Sequence, residues 1–190
     1  MYLKSFGGLI CIPLMLACLC TASADDFRSE IEITNLEANS GLAYEVAENL
    51  EEGAKEYTDR DYTLTNMPDY LVGLTWIRTA NNDKQNPDLE VSFKIDVEAY
   101  VYILWIARDP AEHDWLQDNY TLLEGDEVGS TDEALKVFKS NDPFAAGEVK
   151  TYAANTGAGL YIIVLEATGK TQAVEPSNKL PITWGRLKKS

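Results

Sequence analysis

Beyond residue 24 the sequence contains no cysteine, because Cys11, Cys18 and Cys20 all fall before it. Disulfide staples are therefore excluded from the remainder. Its stability has to come from an ordinary apolar core, which about 150 residues can build. Histidine is almost as scarce. With His113 alone, the usual zinc site of several imidazole or thiolate ligands cannot be assembled. Any Ser-His-Asp or Cys-His arrangement would have to pass through that one ring, which, between Glu112 and Asp114, reads as a solvated loop histidine. There is no Gly-x-Ser-x-Gly elbow and no glycine-rich phosphate loop ahead of a helix. A pair of carboxylates for glycoside cleavage stays open, but among 31 acidic residues nothing singles a pair out. The expectation is a protein without cofactor or catalytic machinery.

Basic residues are also few. The chain has 16 Lys and Arg against 31 acids, a net charge of −15, and Lys4 is the one charged residue before Asp25. Such a surface repels nucleic acid and anionic lipid, which are held through Lys and Arg. It favours solubility and permits weak calcium binding. Two polar clusters bear on that point: Asn81, Asn82, Asp83, Asn86 and Asp88 in one turn, and Asp126, Glu127, Asp132 and Glu133 in another. Neither follows the EF-hand spacing, and a plain polar turn is the simpler reading.

Residues 1–24 read as an export signal. Lys4 supplies the positive start, residues 9–19 are an apolar run broken only by Pro13, and Ala22-Ser23-Ala24 is a small-x-small cleavage site before Asp25-Asp26. The run is shorter than the roughly 20 apolar residues of a membrane span. An uncleaved anchor and a lipoprotein, with Cys18 after Met15-Leu16-Ala17, remain open. The expected location is secreted, extracellular or periplasmic, with no membrane contact after cleavage.

The chain beyond residue 24 is rich in strand signals. Residues 25–40 form a lead-in where Ile31, Ile33 and Leu36 alternate with polar residues. Residues 41–168 form the main module, and 169–190 an extended tail, basic at its end. Strands are expected near 42–47, 62–65, 71–79, 89–97, 99–107, 148–153 and 160–167. Residues 89–97 alternate apolar and polar, as a half-buried strand does. Residues 99–107 are continuously apolar, as in a strand covered on both sides. Residues 134–139 fit strand or helix, 48–54 a turn, 81–88 a polar turn, and 108–127 a loop. With no strand–helix alternation, the pattern predicts an all-β fold, an antiparallel, jelly-roll-like β-sandwich.

Trp115 is the strongest candidate for ligand contact. It lies outside any clear strand, in the loop that begins Arg108-Asp109-Pro110 and continues to Asp114. A sugar ring presents its C–H face to an aromatic ring, while charged and planar side chains take its hydroxyls. Arg108, Asp109 and Asp114 are the expected polar partners. The competing reading has Trp115-Leu116 folding back to plug the core. Trp76 and Trp105 sit within apolar runs and read as core. Tyr100 and Tyr102 share one strand face.

Longer segments carry a family resemblance. Trp76-Ile77-Arg78-Thr79-Ala80-Asn81-Asn82-Asp83-Lys84 is followed by Val101-Tyr102, then Trp115-Leu116, then Phe144-Ala145-Ala146-Gly147. Together they resemble an accessory module of secreted bacterial proteins, often C-terminal in polysaccharide-degrading enzymes, across residues 41–167. Asn82, the stretch Leu104-Trp105-Ile106-Ala107 and the turn Ala154-Asn155-Thr156 depart from its pattern. The resemblance implies a β-sandwich and a glycan-directed accessory role, hence a secreted module binding polysaccharide through Trp115. Two other classes are weighed beside it: an acidic extracellular structural protein acting through calcium or protein partners, and a small carbohydrate-active enzyme.

Overall fold

A computed structural model describes residues 31–154 and 157–169. The export signal, the cysteines, the tail beyond Gly169 and Trp184 lie outside the described residues. The described residues form ten strands: β1 (Ile33–Ala38), β2 (Glu45–Ala47), β3 (Leu64–Thr65), β4 (Thr75–Arg78), β5 (Glu90–Ile95), β6 (Ala99–Ile106), β7 (Tyr120–Ser130), β8 (Leu135–Ser140), β9 (Gly147–Tyr152) and β10 (Ile162–Ala167). They form two antiparallel sheets, β1-β5-β9 and β2-β4-β10-β6-β8-β7-β3.

The small sheet arises directly from alternation. Val91, Phe93 and Ile95 of β5 are buried, as are Val149 and Thr151 of β9. Glu148, Lys150 and Tyr152 point the other way and are exposed. β1 completes the sheet with a register jump between Thr34 and Glu37, where Asn35 adopts φ 52°. Asparagine tolerates that left-handed conformation at a bulge.

The large sheet is built around β6 and β10, paired from Ile162↔Leu104 to Ala167↔Ala99. Trp105 stacks on Tyr161, whose hydroxyl meets Thr151 of β9, so this face packs on the small sheet. The opposite face, carrying Tyr102, Leu104 and Ile106, is covered by residues 48–74. Leu50, Tyr57, Leu64 and Leu71 of that segment are fully buried. It has little regular structure of its own. Backbone bonds cross-link it, Leu50 N–H to Leu74 O and Leu64 N–H to Ala54 O, and the Tyr57 hydroxyl bonds Leu160 O at 2.6 Å. The two covers explain why β6 is apolar on both faces.

The structure corrects several expectations. Residues 108–127 are not a loop: they contain helix α1 (Asp114–Asn119) and most of β7. A six-residue helix is below the length that stands alone, so its sequence carries little helical signature. Residues 134–139 resolve as β8. Of 71–79, Leu71 ends a 3₁₀ turn and Thr75–Arg78 alone is strand. The polar turn at 81–88 contains a 3₁₀ turn, and two of its polar side chains are buried. Asn81 Oδ1 accepts the Leu160 N–H at 3.0 Å, and Asp83 Oδ2 accepts the Ser40 and Tyr44 hydroxyls at 2.6 and 2.9 Å. Among the described residues, no helix is long and apolar enough to cross a membrane.

Two points where the covering segment meets β7 are tightly constrained. Gly129 faces Thr65, and a Cβ there would lie 2.4 Å from Thr65 Oγ1 and 2.9 Å from Thr65 O. Gly129→Ala is expected to cost about 1–3 kcal/mol by overpacking, measurable by chemical denaturation. Glu56 is fully buried, with Oε2 accepting the Ser130 hydroxyl at 2.5 Å and Oε1 unpartnered among the described residues. Burial pushes this carboxyl above the ordinary glutamate range. The folded state thus keeps a proton that the unfolded chain has released, and stability falls as pH rises from the unfolded range through the folded one. Glu56→Gln is expected to stabilise the protein by an amount that is small in acid and grows with pH. Denaturation of both proteins across a pH series checks it, and a gain independent of pH would count against it.

Candidate functional site

The site begins where β6 ends. Asp109 Oδ1 accepts the Trp105 indole N–H at 2.9 Å and the Ala111 N–H at 2.8 Å. This turns the chain sharply enough that Ala111 takes φ 58°. His113 then leads into α1, and its carbonyl accepts the N–H groups of Leu116 and Gln117. At the far end the Asn119 amide donates to Trp115 O at 2.8 Å. A helix too short to be stable alone is thus fixed at both ends. Leu116 is fully buried, and Trp115 is half-buried at the edge of the sandwich.

Trp115 is the hub of an aromatic cluster. Its ring lies 5.6 Å from Tyr161, 5.9 Å from Tyr120, 6.1 Å from Tyr152 and 6.2 Å from Trp105, all tilted or edge-on. These are favourable aromatic geometries. The indole N–H donates to Ala153 O at 3.1 Å. Leu116 plugs the core, as the fold-back reading expects, while Trp115 is only half-buried beside it.

Two open grooves meet at Trp115. The first, of about 610 Å³, has Asn39, Asp88, Glu90, His113, Trp115 and Tyr152 in its walls. The second, of about 460 Å³, has Trp115, Asn119, Tyr120, Phe144, Lys150 and Tyr152. Trp115 and Tyr152 are common to both. Tyr152 is 40% exposed, on the otherwise polar outer face of the small sheet. Lys150 Nζ lies 2.6 Å from Glu90 Oε1 and 3.5 Å from Glu148 Oε1. The hydrogen bond to Glu90, and then the nearby carboxylate charges, raise the Lys150 ammonium. Tyr120 is buried and its hydroxyl has no partner among the described residues, and burial pushes this phenol upward.

Of the residues singled out in the sequence, Trp115 borders both grooves and the other three line neither. Arg108 pairs with Glu133 Oε2 at 2.9 Å. Asp109 is occupied by the Trp105 indole, and Asp114 is exposed in the first turn of α1. His113 lies in the irregular stretch before α1, as expected of a loop residue, but it is half-buried, with its ring 5.1 Å from Trp105. Tyr152 was not anticipated, although one signal points to it. In Glu148-Val149-Lys150-Thr151-Tyr152 the strand period puts an aromatic on the charged face. Among the described residues, no group of three or more His, Cys, Asp or Glu side chains is placed to hold a metal ion.

Fold and site together define an antiparallel β-sandwich domain with an aromatic cluster at one edge. No family model matches the sequence, and no curated protein matches it. Solved structures containing a similar fold include two glycoside hydrolases. One is a β-glucuronidase from glycoside hydrolase family 2, with a TM-score of 0.62 and 20% identity over 70% of this chain. The other is a family 138 glycoside hydrolase targeting pectin rhamnogalacturonan II, with a TM-score of 0.50 and 14% identity over 75% of this chain. The chain spans 14% and 17% of the length of those two proteins. At these identities the likeness is one of fold.

The geometry separates the two aromatic walls energetically. Trp115→Ala is expected to cost about 3 kcal/mol, the low end for a tryptophan, because it opens the cluster. Tyr152→Ala is expected to cost less than about 1 kcal/mol, as a surface change. Urea denaturation of both variants measures the difference.

Proposed function

We propose that the chain is an exported, non-catalytic module that binds polysaccharide, with Trp115 and Tyr152 as its aromatic wall. The observation that carries this reading is the pairing of an exposed tyrosine with a tryptophan held rigid from behind. A fixed ring loses little freedom when a sugar stacks on it. Asn39, Asp88 and Glu90 on one side, and Asn119 and Lys150 on the other, are suited to hydrogen-bond its hydroxyls. The sequence resemblance to a glycan-directed accessory module supports the reading. So does the occurrence of the fold as a segment of two much larger glycoside hydrolases.

A general acid for glycoside cleavage works from apolar surroundings that keep its proton. At the grooves Glu90 and Glu148 instead face the Lys150 ammonium. Glu56, the carboxyl that burial does raise, is sealed in the interior with none of its surface exposed. The calcium-dependent structural alternative has weaker support, because the buried Asp83 and Asn81 are engaged by hydroxyls and backbone.

The test is retention on a panel of insoluble polysaccharides. Binding of the order of 10 μM to 1 mM is expected for a site of this kind. Tyr152→Ala should weaken it by about tenfold or more. Arg108→Ala, outside both grooves, should leave it unchanged. Full retention by folded Tyr152→Ala would overturn the assignment of the site, and new reducing ends in the bound polysaccharide would overturn the non-catalytic reading.

A further inference from the structure

The grooves beside Trp115 do not stop there. The second continues, through the shared walls Asn119 and Phe144, into a third of about 240 Å³ that also includes Asn141 and Pro143. That one shares Pro143 with a fourth, of about 390 Å³, which lies round the end of the sandwich on the Tyr102 face of the large sheet and is lined by Tyr100, Lys139 and Glu166. None of the four is an enclosed cavity. An open path of adjoining grooves suits the interior of a chain, whereas a closed pocket suits an end or a single ring.

The walls of the extension are built firmly. Phe144 exchanges both backbone hydrogen bonds with Ala99, at 2.8 and 3.0 Å. Asn141 Oδ1 accepts the Thr121 hydroxyl at 2.6 Å, and the Asn141 N–H donates to Asn119 O. At the far end Lys139 Nζ lies 4.0 Å from the Tyr100 ring centroid and 3.3 Å from Glu166 Oε2, which also accepts the Tyr102 hydroxyl at 2.6 Å. The last groove therefore repeats the chemistry of the first two: an aromatic ring beside fixed polar groups.

Charge narrows the ligand. The four walls hold seven carboxylates and two ammonium groups. Both ammonium groups are ion-paired, Lys150 with Glu90 and Lys139 with Glu166. Among the described residues no arginine lines any of the four grooves. A uronate or sulfate ester would meet surplus negative charge with no available bidentate partner. Neutral hydroxyls, which donate to carboxylates, meet no such barrier.

We infer that the ligand is the interior of an uncharged glycan chain, lying across several sugar rings from Trp115 and Tyr152 to Tyr100. This rests on the glycan-binding reading and adds chain length and charge class to it. The test is calorimetric titration of the full chain with cello-, xylo- and manno-oligosaccharides, disaccharide through hexasaccharide. Polygalacturonate, alginate and heparin serve as charged probes at physiological salt. The expected result is that at least one neutral series gains about tenfold or more in affinity from trisaccharide to hexasaccharide, while the charged probes do not bind. Tyr100→Ala should remove the gain with length and leave the trisaccharide affinity intact. Equal affinity for trisaccharide and hexasaccharide, or preferential binding of a charged probe, overturns this inference and leaves glycan binding standing. No binding to any member of the panel overturns both. The length series on the unaltered protein decides the matter even if Tyr100→Ala does not fold.

Discussion

The site depends on one packing arrangement: an indole held by rings behind it and by a hydrogen bond at its edge, with its outer side left uncovered. Trp115 gains its position from Tyr161, Tyr120 and Trp105, and from the carbonyl of Ala153. Each of those groups belongs to, or directly adjoins, a strand or turn of the sandwich. A six-residue helix has no stability to contribute, so the sheets order the helix and not the reverse. The same arrangement places Tyr152 beside Trp115, because Ala153 comes directly after Tyr152 in the chain.

The large sheet sets the frame for this. Its two central strands are apolar on both faces and need two covers. One is the small sheet, whose inner face obeys a strict alternation. The other is the segment 48–74, irregular and held by internal hydrogen bonds and a few fully buried side chains. With one face closed by that segment, the edge between the two sheets is where α1 and the aromatic cluster sit. A carboxyl is buried in the seam of the covering segment, and the two grooves at Trp115 lie with the aromatic cluster. The two parts of the molecule thus carry different burdens.

Much of this is legible in the sequence, for reasons that can be named. Residues 89–97 alternate and 99–107 do not, which marks a half-buried strand beside a doubly covered one, and the run of short strands without strand–helix alternation points to the sandwich. Trp115 stands out because it is a large ring among charges. The rest is hidden where local signals are weak. α1 is too short to show a period, and β7 is broken by a register shift between Leu122 and Glu127, so residues 108–127 resemble a loop. Arg108, Asp109 and Asp114 are neighbours of Trp115 in sequence, yet a turn and a helix start direct them elsewhere. The groove partners come from β5, β9 and the residues around β7 and β8. Long-range pairing of that kind leaves no trace in a local window.

A crystal structure of the protein with a neutral hexasaccharide tests the central claim most directly. Sugar rings are expected against Tyr152 and along the grooves, with Trp115 unmoved and its indole still bonded to Ala153. A sugar chain bound away from the Trp115–Tyr152 wall, or a Trp115 ring swung out of its cluster to reach the ligand, would contradict it.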